Sequence, residues 1–199
     1  DNLNASYVRS VNMNGGLGDD SLFANMNAYE SQNTDGSYVL AKTVLMDGGD
    51  GVDTLNVQTY APSSQGQTNV TMLGGSGNDR LTLTDLYAGD TGNNGQYYGV
   101  LHASLDGGIG DDILSASGVL QLSMTGGAGA DTFVLTAQQY RTVVEGVRSI
   151  QNADYTSTQV DATATLITDF VAGAGNDVLD IADLLRNNTT GFDGSNPFT

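Results

Sequence analysis

One glycine- and aspartate-rich string carries most of the chemistry that this sequence offers. The pattern Gly-Gly-x-Gly-x-Asp, followed by a variable and then an apolar residue, occurs five times, and a sixth copy lacks only the first glycine. Glycine permits the positive φ angles that aim successive carbonyl oxygens at one point, and a short aspartate reaches the same point. Calcium takes six to eight hard oxygen ligands of these kinds. The string therefore predicts calcium binding at these turns.

The candidate ligands belong to motif positions one to four and to the motif aspartate. They are Gly15, Gly16, Leu17, Gly18 and Asp20; Gly48, Gly49, Asp50, Gly51 and Asp53; Gly74, Gly75, Ser76, Gly77 and Asp79; Gly107, Gly108, Ile109, Gly110 and Asp112; Gly126, Gly127, Ala128, Gly129 and Asp131; with Asp177 from the sixth copy and Asp1 from an N-terminal remnant of a seventh. A single copy would equally suit a glycine-rich turn with an Asx hydrogen bond. Repetition of the whole string favours calcium.

Apolar residues alternate with polar ones on both sides of each motif, which predicts strand–turn–strand units. The residues two after each motif aspartate are Leu3, Leu22, Leu55, Leu81, Leu114, Phe133 and Leu179. The residues two before each motif are Met13, Met46, Met72, Leu105, Met124 and Phe170. The shared register predicts stacked ladders of side chains. A methionine cluster could bind a soft metal, but this regular position favours a dry core.

The spacing of the motifs indicates one functional edge. Asp112 and Asp131 are 19 residues apart, which fits one bare coil of two strands. Its opposite turn, Ser117-Gly118, has no aspartate, so we expect the calcium ions along one edge only, about five or six between stacked turns. Insertions are expected mainly at the other edge, roughly at 25–38, 58–68, 84–97 and 137–164.

Composition excludes several functional classes. The 199 residues include 23 acidic and 6 basic side chains, a net charge of −17, which argues against nucleic-acid binding. No apolar run approaches the roughly 20 residues of a membrane span, so we expect no membrane insertion. The absence of cysteine excludes disulfides and disfavours zinc.

These motifs resemble the calcium-binding repeats of the RTX (repeats-in-toxin) family of type I secretion substrates. The resemblance implies an all-β fold, a right-handed parallel β-roll or solenoid with the glycine–aspartate turns on one edge. It also implies that carbonyls at positions one and three plus the aspartate of one turn meet carbonyls at positions two and four plus the aspartate of the next.

The C-terminal part adds a second similarity to that family. Residues 166–170 and 177–185 resemble the segment that closes many RTX rolls, and 194–198 resemble the start of the secretion target region. We expect a roll with insertions at 1–135, and at 136–199 a closing segment that leads into the truncated target region. Asp180 is a candidate N-cap for a short helix from Ile181 to about Arg186, which would cap the roll.

The resemblance implies a calcium-binding module that folds outside the cell and supports type I secretion of a large bacterial surface adhesin. The expected partners are calcium ions and the type I secretion machinery, and the expected location is the extracellular cell surface. We expect no enzymatic activity. The only histidine, His102, alternates with apolar neighbours and should face outward, and no Gly-x-Ser-x-Gly or His-Glu-x-x-His motif occurs.

Two alternatives remain open. The first is an adhesin module that binds a host or surface saccharide or peptide through Tyr- and Asn-rich insertions. The tyrosines concerned are Tyr29, Tyr38, Tyr60, Tyr87, Tyr97, Tyr98, Tyr140 and Tyr155. These side chains could equally pack the insertions onto the roll. The second alternative is the RTX part of an S-layer protein or of a secreted hydrolase or toxin.

Overall fold

The computed structural model describes residues 1–8, 10–26, 41–59, 67–85, 100–137, 139, 164–173 and 176–187. The strands are β1 Asn2–Ser6, β2 Ser10–Leu17, β3 Ser21–Asn25, β4 Ala41–Asp50, β5 Thr54–Thr59, β6 Gln67–Ser76, β7 Arg80–Asp85, β8 Val100–Ile109, β9 Ile113–Ser117, β10 Val119–Ala128, β11 Thr132–Leu135, β12 Ala164–Ile167 and β13 Val178–Asp180. One helix, α1, spans Ala182–Asn187. Most of the insertions expected from the spacing, and all eight tyrosines named above, lie outside the described residues.

Successive strands alternate between two parallel sheets. The odd-numbered strands form one sheet in the order β1-β3-β5-β7-β9-β11-β13, and the even-numbered strands form the other in the order β12-β10-β8-β6-β4-β2. Each glycine motif connects the end of an even-numbered strand to the next odd-numbered strand. The fold is therefore all-β with parallel pairing, as predicted, and the five full motifs lie at one edge of the two sheets.

In the described residues, the predicted ladders form a hydrophobic core between the sheets, except at Leu179, which pairs with Phe133 but is 42% exposed. Met46 is paired with Met13 and Met72, and Met72 with Leu105, in an unbroken register. Their side chains, like those of the Leu22–Leu55–Leu81–Leu114–Phe133 ladder, are buried. Burial of each large aliphatic side chain contributes about 1.5–3 kcal/mol. The prediction that the methionines are core residues is confirmed.

The sixth motif enters the sheet in a different register from the one expected. Ile167, and not Phe170, is paired with Met124. Ile167 is ten residues before Asp177, whereas Met124 is seven before Asp131, so the last connection is three residues longer. Phe170 is 41% exposed, and its ring lies 6.2 Å from that of Phe133. The alternating pattern alone could not reveal the longer connection.

The segment after residue 135 continues both sheets. β12 pairs with β10, and β13 pairs with β11. The side chain of Asp180 accepts a hydrogen bond from the Ala182 N–H (2.9 Å), so it satisfies a donor at the start of α1. The helix begins and ends one residue later than predicted, and Asp183 lies in its first turn.

The edge opposite the glycine motifs contains a buried polar contact that substitutes for strand pairing. Gln139 is 2% exposed. Its Oε1 accepts from the Val119 N–H (3.0 Å), and its Nε2 donates to the Val119 carbonyl oxygen (2.8 Å). One side chain thus satisfies both backbone groups of Val119 beyond the start of β12.

Candidate metal-binding edge

The glycine edge consists of turn 1 (15–20), turn 2 (48–53), turn 3 (74–79), turn 4 (107–112) and turn 5 (126–131). Glycines two and four of each turn have positive φ angles, for example 111° at Gly75 and 129° at Gly77. In turns 2 to 5, a Cβ at either position would also overlap a carbonyl oxygen of the preceding turn. These positions therefore require glycine both for backbone conformation and for the close stacking of turns.

The motif aspartates form a ladder of backbone contacts. The Oδ1 atom of each accepts a hydrogen bond from the backbone N–H of the aspartate one turn earlier. The bonds are Asp20 N–H to Asp53 (2.7 Å), Asp53 N–H to Asp79 (2.8 Å), Asp79 N–H to Asp112 (2.7 Å), Asp112 N–H to Asp131 (2.9 Å) and Asp131 N–H to Asp177 (3.0 Å). At the start of the ladder, the amino group of Asp1 donates to Asp20 Oδ1. One carboxylate oxygen of each motif aspartate is thus used within the protein.

The second carboxylate oxygen of four aspartates has no such partner. The Oδ2 atoms of Asp20, Asp53, Asp79 and Asp112 are buried and accept no hydrogen bond. A buried, unsatisfied carboxylate oxygen is costly unless a cation or a donor compensates it. Among the described residues, these four atoms give the strongest indication that the glycine edge can bind a cation.

The pKa values of these carboxyl groups also reflect the cost of burying their charge. The pKa of Asp112 is raised to about 6, mainly by burial and also by the neighbouring carboxylates of Asp79 and Asp131, although a backbone hydrogen bond lowers it. Burial is likewise the main cause that raises the pKa of Asp53, Asp79 and Asp131. The fold therefore disfavours the charged form of these side chains.

Six oxygen atoms of turns 3 and 4 contact the facing turn. Turn 3 contributes the carbonyl oxygens of Gly75 and Gly77, which lie against the Cα atoms of Gly108 and Gly110, and the Oδ2 of Asp79. Turn 4 contributes the carbonyl oxygens of Gly107 and Ile109 and the Oδ1 of Asp112. Oxygens of this number and hardness suit a calcium ion better than a soft or strictly octahedral metal.

Equivalent sets lie between turns 1 and 2, turns 2 and 3, and turns 4 and 5. In each gap the carbonyl oxygen of the later turn's first glycine lies beside the Oδ2 of the earlier turn's aspartate. The third-position carbonyls of Asp50, Ser76, Ile109 and Ala128 accept hydrogen bonds of 2.7–2.8 Å from the fourth glycine of the preceding turn. The carbonyl groups face each other in the reverse of the expected order: positions two and four belong to the earlier turn of each pair, and positions one and three belong to the later turn. Leu17 is exposed, and Asp1 contacts Asp20 through its amino group.

The fifth motif residue was not among the predicted site residues, yet its side chain forms a second ladder of hydrogen bonds between turns. Asp19 Oδ1 accepts from the Val52 N–H (2.8 Å), Asn78 Oδ1 from the Asp111 N–H (2.9 Å), and Asp111 Oδ1 from the Ala130 N–H (2.8 Å). The recurrence of Asp or Asn at this position was the available signal. These side chains link adjacent turns at the exposed surface.

The described residues contain no group of three or more His, Cys, Asp or Glu side chains that could hold a metal ion. The oxygen sets of the glycine edge are instead mainly carbonyl groups with two aspartates each. A site of this composition has low side-chain charge for each ion, and it exists only when two turns are stacked.

A second feature lies on the outer face of the even-numbered sheet. A groove of about 450 Å³ runs across β6, β8, β10 and β12, lined by residues that include Asn69, His102, Gln121 and Leu166. His102 is exposed and is paired with Asn69 and Gln121 on the neighbouring strands. The predicted outward position of His102 is confirmed.

Scans against protein-family models, curated proteins and solved structures find no match to this chain. Within the described ranges, no helix is long and apolar enough to cross a membrane.

Proposed function

We propose that this chain is a calcium-binding RTX module: a right-handed parallel β-roll that folds when calcium ions bind between its stacked glycine turns. The observation that supports the proposal is the set of four buried, unpartnered Oδ2 atoms of Asp20, Asp53, Asp79 and Asp112. Each lies in a gap with carbonyl oxygens from two turns. A bound calcium ion would balance the carboxylate charges and join the two turns.

Charge repulsion explains why folding would depend on the ion. Neighbouring turns follow the strand spacing of about 4.8 Å. Two unit charges about 5 Å apart repel by about 3 kcal/mol at an effective dielectric constant of about 20. A ladder of such contacts, in a chain with a net charge of −17, opposes folding as strongly as a typical domain is stabilised.

Calcium availability would then decide where the chain folds. Extracellular calcium modules bind at about 10⁻⁴–10⁻³ M, well above cytosolic calcium levels. Each ion that binds only the folded state adds about 2.7 kcal/mol at a hundredfold excess over its Kd. We therefore infer an exported module of a bacterial surface protein that stays unfolded before type I secretion and folds outside the cell.

The test is far-UV circular dichroism through a calcium titration that begins in chelator, with magnesium as the control ion. The expected result is a cooperative coil-to-β transition with calcium and none with magnesium, which is smaller and keeps its water shell. A chain that is fully folded in chelator would contradict the proposal.

Saccharide or peptide binding in the groove across β6, β8, β10 and β12 is a second candidate function. Its amide, imidazole and hydroxyl groups, including Asn69, His102 and Gln121, provide donors and acceptors at regular strand spacing. A saccharide and peptide array probed with calcium-loaded protein tests this candidate, with His102→Ala as the matched variant. Binding that His102→Ala does not weaken would contradict a role for the groove.

A further inference from the structure

Two side-chain carboxylates, those of Asp169 and Asp177, accept hydrogen bonds from the backbone of turn 5. Both oxygens of Asp169 accept backbone hydrogen bonds from this turn: Oδ1 from the Gly126 N–H (3.0 Å) and Oδ2 from the Gly127 N–H (2.7 Å). One carboxylate thus satisfies two consecutive donors. Such charge-assisted bonds stabilise the ionised carboxylate without any metal.

Asp177 is occupied in the same way. Its Oδ1 accepts from the Asp131 N–H (3.0 Å), and its Oδ2 accepts from the Val171 N–H (2.8 Å). The Asp177 N–H in turn donates to the Val171 carbonyl oxygen (3.0 Å). Asp177 therefore differs from Asp20, Asp53, Asp79 and Asp112, whose second oxygens are buried without a partner.

The surroundings of the first glycine of turn 5 differ from those of the first glycines of turns 1 to 4. At the first glycine of turns 1 to 4, the nearest atoms include a carbonyl oxygen of the next turn, such as Gly107 O beside Gly74. The nearest atoms at Gly126 all belong to Asp131. The register places Asp169 two residues after Ile167, where the other strands place the first motif glycine. A carboxylate side chain follows turn 5 at that position.

We infer that the series of bound ions along turns 1 to 5 ends at the gap between turns 4 and 5, so that the four gaps between these described turns take four calcium ions, and that Asp169 is the positioning residue that ends the series. This inference rests on the proposed calcium binding. The carboxylate of Asp169 accepts hydrogen bonds from the backbone of turn 5. These hydrogen bonds stabilise turn 5 on its outer side, whereas calcium ions join each of the other turns to the turn that follows it. The count is lower than the five or six that the number of motifs suggests.

Native mass spectrometry of the full chain in calcium tests the count without any variant. The expected mass increase corresponds to four calcium ions, with the same count for Asp169→Asn. Five retained ions that fall to four in Asp169→Asn would make Asp169 a ligand and would overturn the inference while leaving calcium binding intact. No retained calcium would overturn both the inference and the proposed function.

Amide hydrogen exchange in saturating calcium tests the role of Asp169 separately. Asp169→Asn should accelerate exchange by about tenfold or more at Gly126 or Gly127, because asparagine has one acceptor oxygen for these two donors and no charge. Exchange at Gly48 and Gly49 should not change. The control Asp47→Asn removes the same charge from the outer face of β4, where Asp47 accepts from the Asn14 side chain (3.1 Å). Unchanged exchange at Gly126 and Gly127 would contradict the inference.

Discussion

Two ladders run side by side through this molecule, and the same stacking has opposite consequences in each. In the interior, Leu22, Leu55, Leu81 and Leu114 lie one above another in the sheet of odd-numbered strands, fully buried. Two residues earlier in each strand–turn unit, Asp20, Asp53, Asp79 and Asp112 stack in the same register and are also buried. Each stacked leucine removes apolar surface from water, whereas each stacked aspartate adds a like charge.

The comparison shows that stacking in the same register does not by itself determine whether a ladder stabilises this fold. The leucine ladder favours the stacked state under any conditions that favour hydrophobic burial. The aspartate ladder favours it only when protons or cations neutralise the carboxylates. The interior therefore provides a constant stabilisation, and the glycine edge provides one that depends on the solution.

Acidification of the calcium-free protein separates the two ladders most strongly. Folding raises the pKa of Asp112 from an ordinary 3.8 to about 6 and also raises those of Asp53, Asp79 and Asp131. The folded state therefore binds protons more tightly than the unfolded state. Unfolding free energy should rise as the pH falls from about 6 to about 4, the reverse of common acid denaturation. Circular dichroism of calcium-stripped protein should show β structure increasing over this range, and a loss of structure on acidification would contradict the charge argument.

Truncation of a side chain in the interior ladder should reduce the unfolding free energy by the same amount at every calcium concentration that allows folding. Leu81→Ala leaves a cavity at a side chain with 0% exposure, and it should reduce the unfolding free energy by about 2–5 kcal/mol. Urea denaturation at two calcium concentrations measures this cost. A cost that depends on calcium would mean that the two ladders are coupled through turn 3.

Removal of one carboxylate from the glycine edge should change the unfolding free energy in opposite directions with and without calcium. Asp79→Asn removes a carboxylate that faces Gly107 O and its charged neighbours, so it should destabilise the calcium-loaded protein by about 1–3 kcal/mol. The same substitution should stabilise the calcium-free protein because it removes repulsion from Asp53. Urea denaturation with calcium and in mildly acidic calcium-free buffer measures both effects, with Asp47→Asn as the control for net charge. Destabilisation of equal size in both conditions would contradict the prediction.

The sequence was sufficient to predict the ladders because each copy of the motif repeats the same offsets. Residues such as Met72 and Leu81 could be placed in the core from their distance to the motif alone. The prediction failed where the offset changes. Phe170 stands at the expected distance before the sixth motif, yet three extra residues in the connection bring Ile167 into register with Met124.

Contacts between distant residues of different type were beyond what the pattern could indicate. Asp169 binds turn 5 from 42 and 43 residues away, and no other copy of the motif has an acidic residue at the equivalent position, three residues before the motif. Gln139, which follows β11 and lies outside the repeated offsets, hydrogen-bonds to Val119. These contacts depend on where the irregular parts of the chain meet the regular parts, which local spacing does not specify.

The smallest expected effect concerns the exposed ladder at the fifth motif position, where turn 2 alone among turns 1 to 4 has an apolar residue, Val52. Val52 is 55% exposed and offers no side-chain acceptor to the next turn, unlike Asp19, Asn78 and Asp111. Val52→Asn would place an amide oxygen where those side chains accept the next N–H, here that of Asn78. One such hydrogen bond should add about 0.5–1.5 kcal/mol to the unfolding free energy.

Because asparagine is uncharged, this gain should be the same at low and high calcium, which distinguishes it from every substitution in the aspartate ladder. Urea denaturation at both calcium concentrations measures it, with Val52→Ala as the control that removes the exposed valine without adding an acceptor. Asn78→Ala provides the reverse comparison, since it removes the acceptor for the Asp111 N–H. If Val52→Asn and Val52→Ala have the same unfolding free energy, the hydrogen bonds at the fifth motif position do not stabilise the stacked turns. If Val52→Asn alone is stabilised, uncharged hydrogen bonds at the edge strengthen the stack independently of the ions.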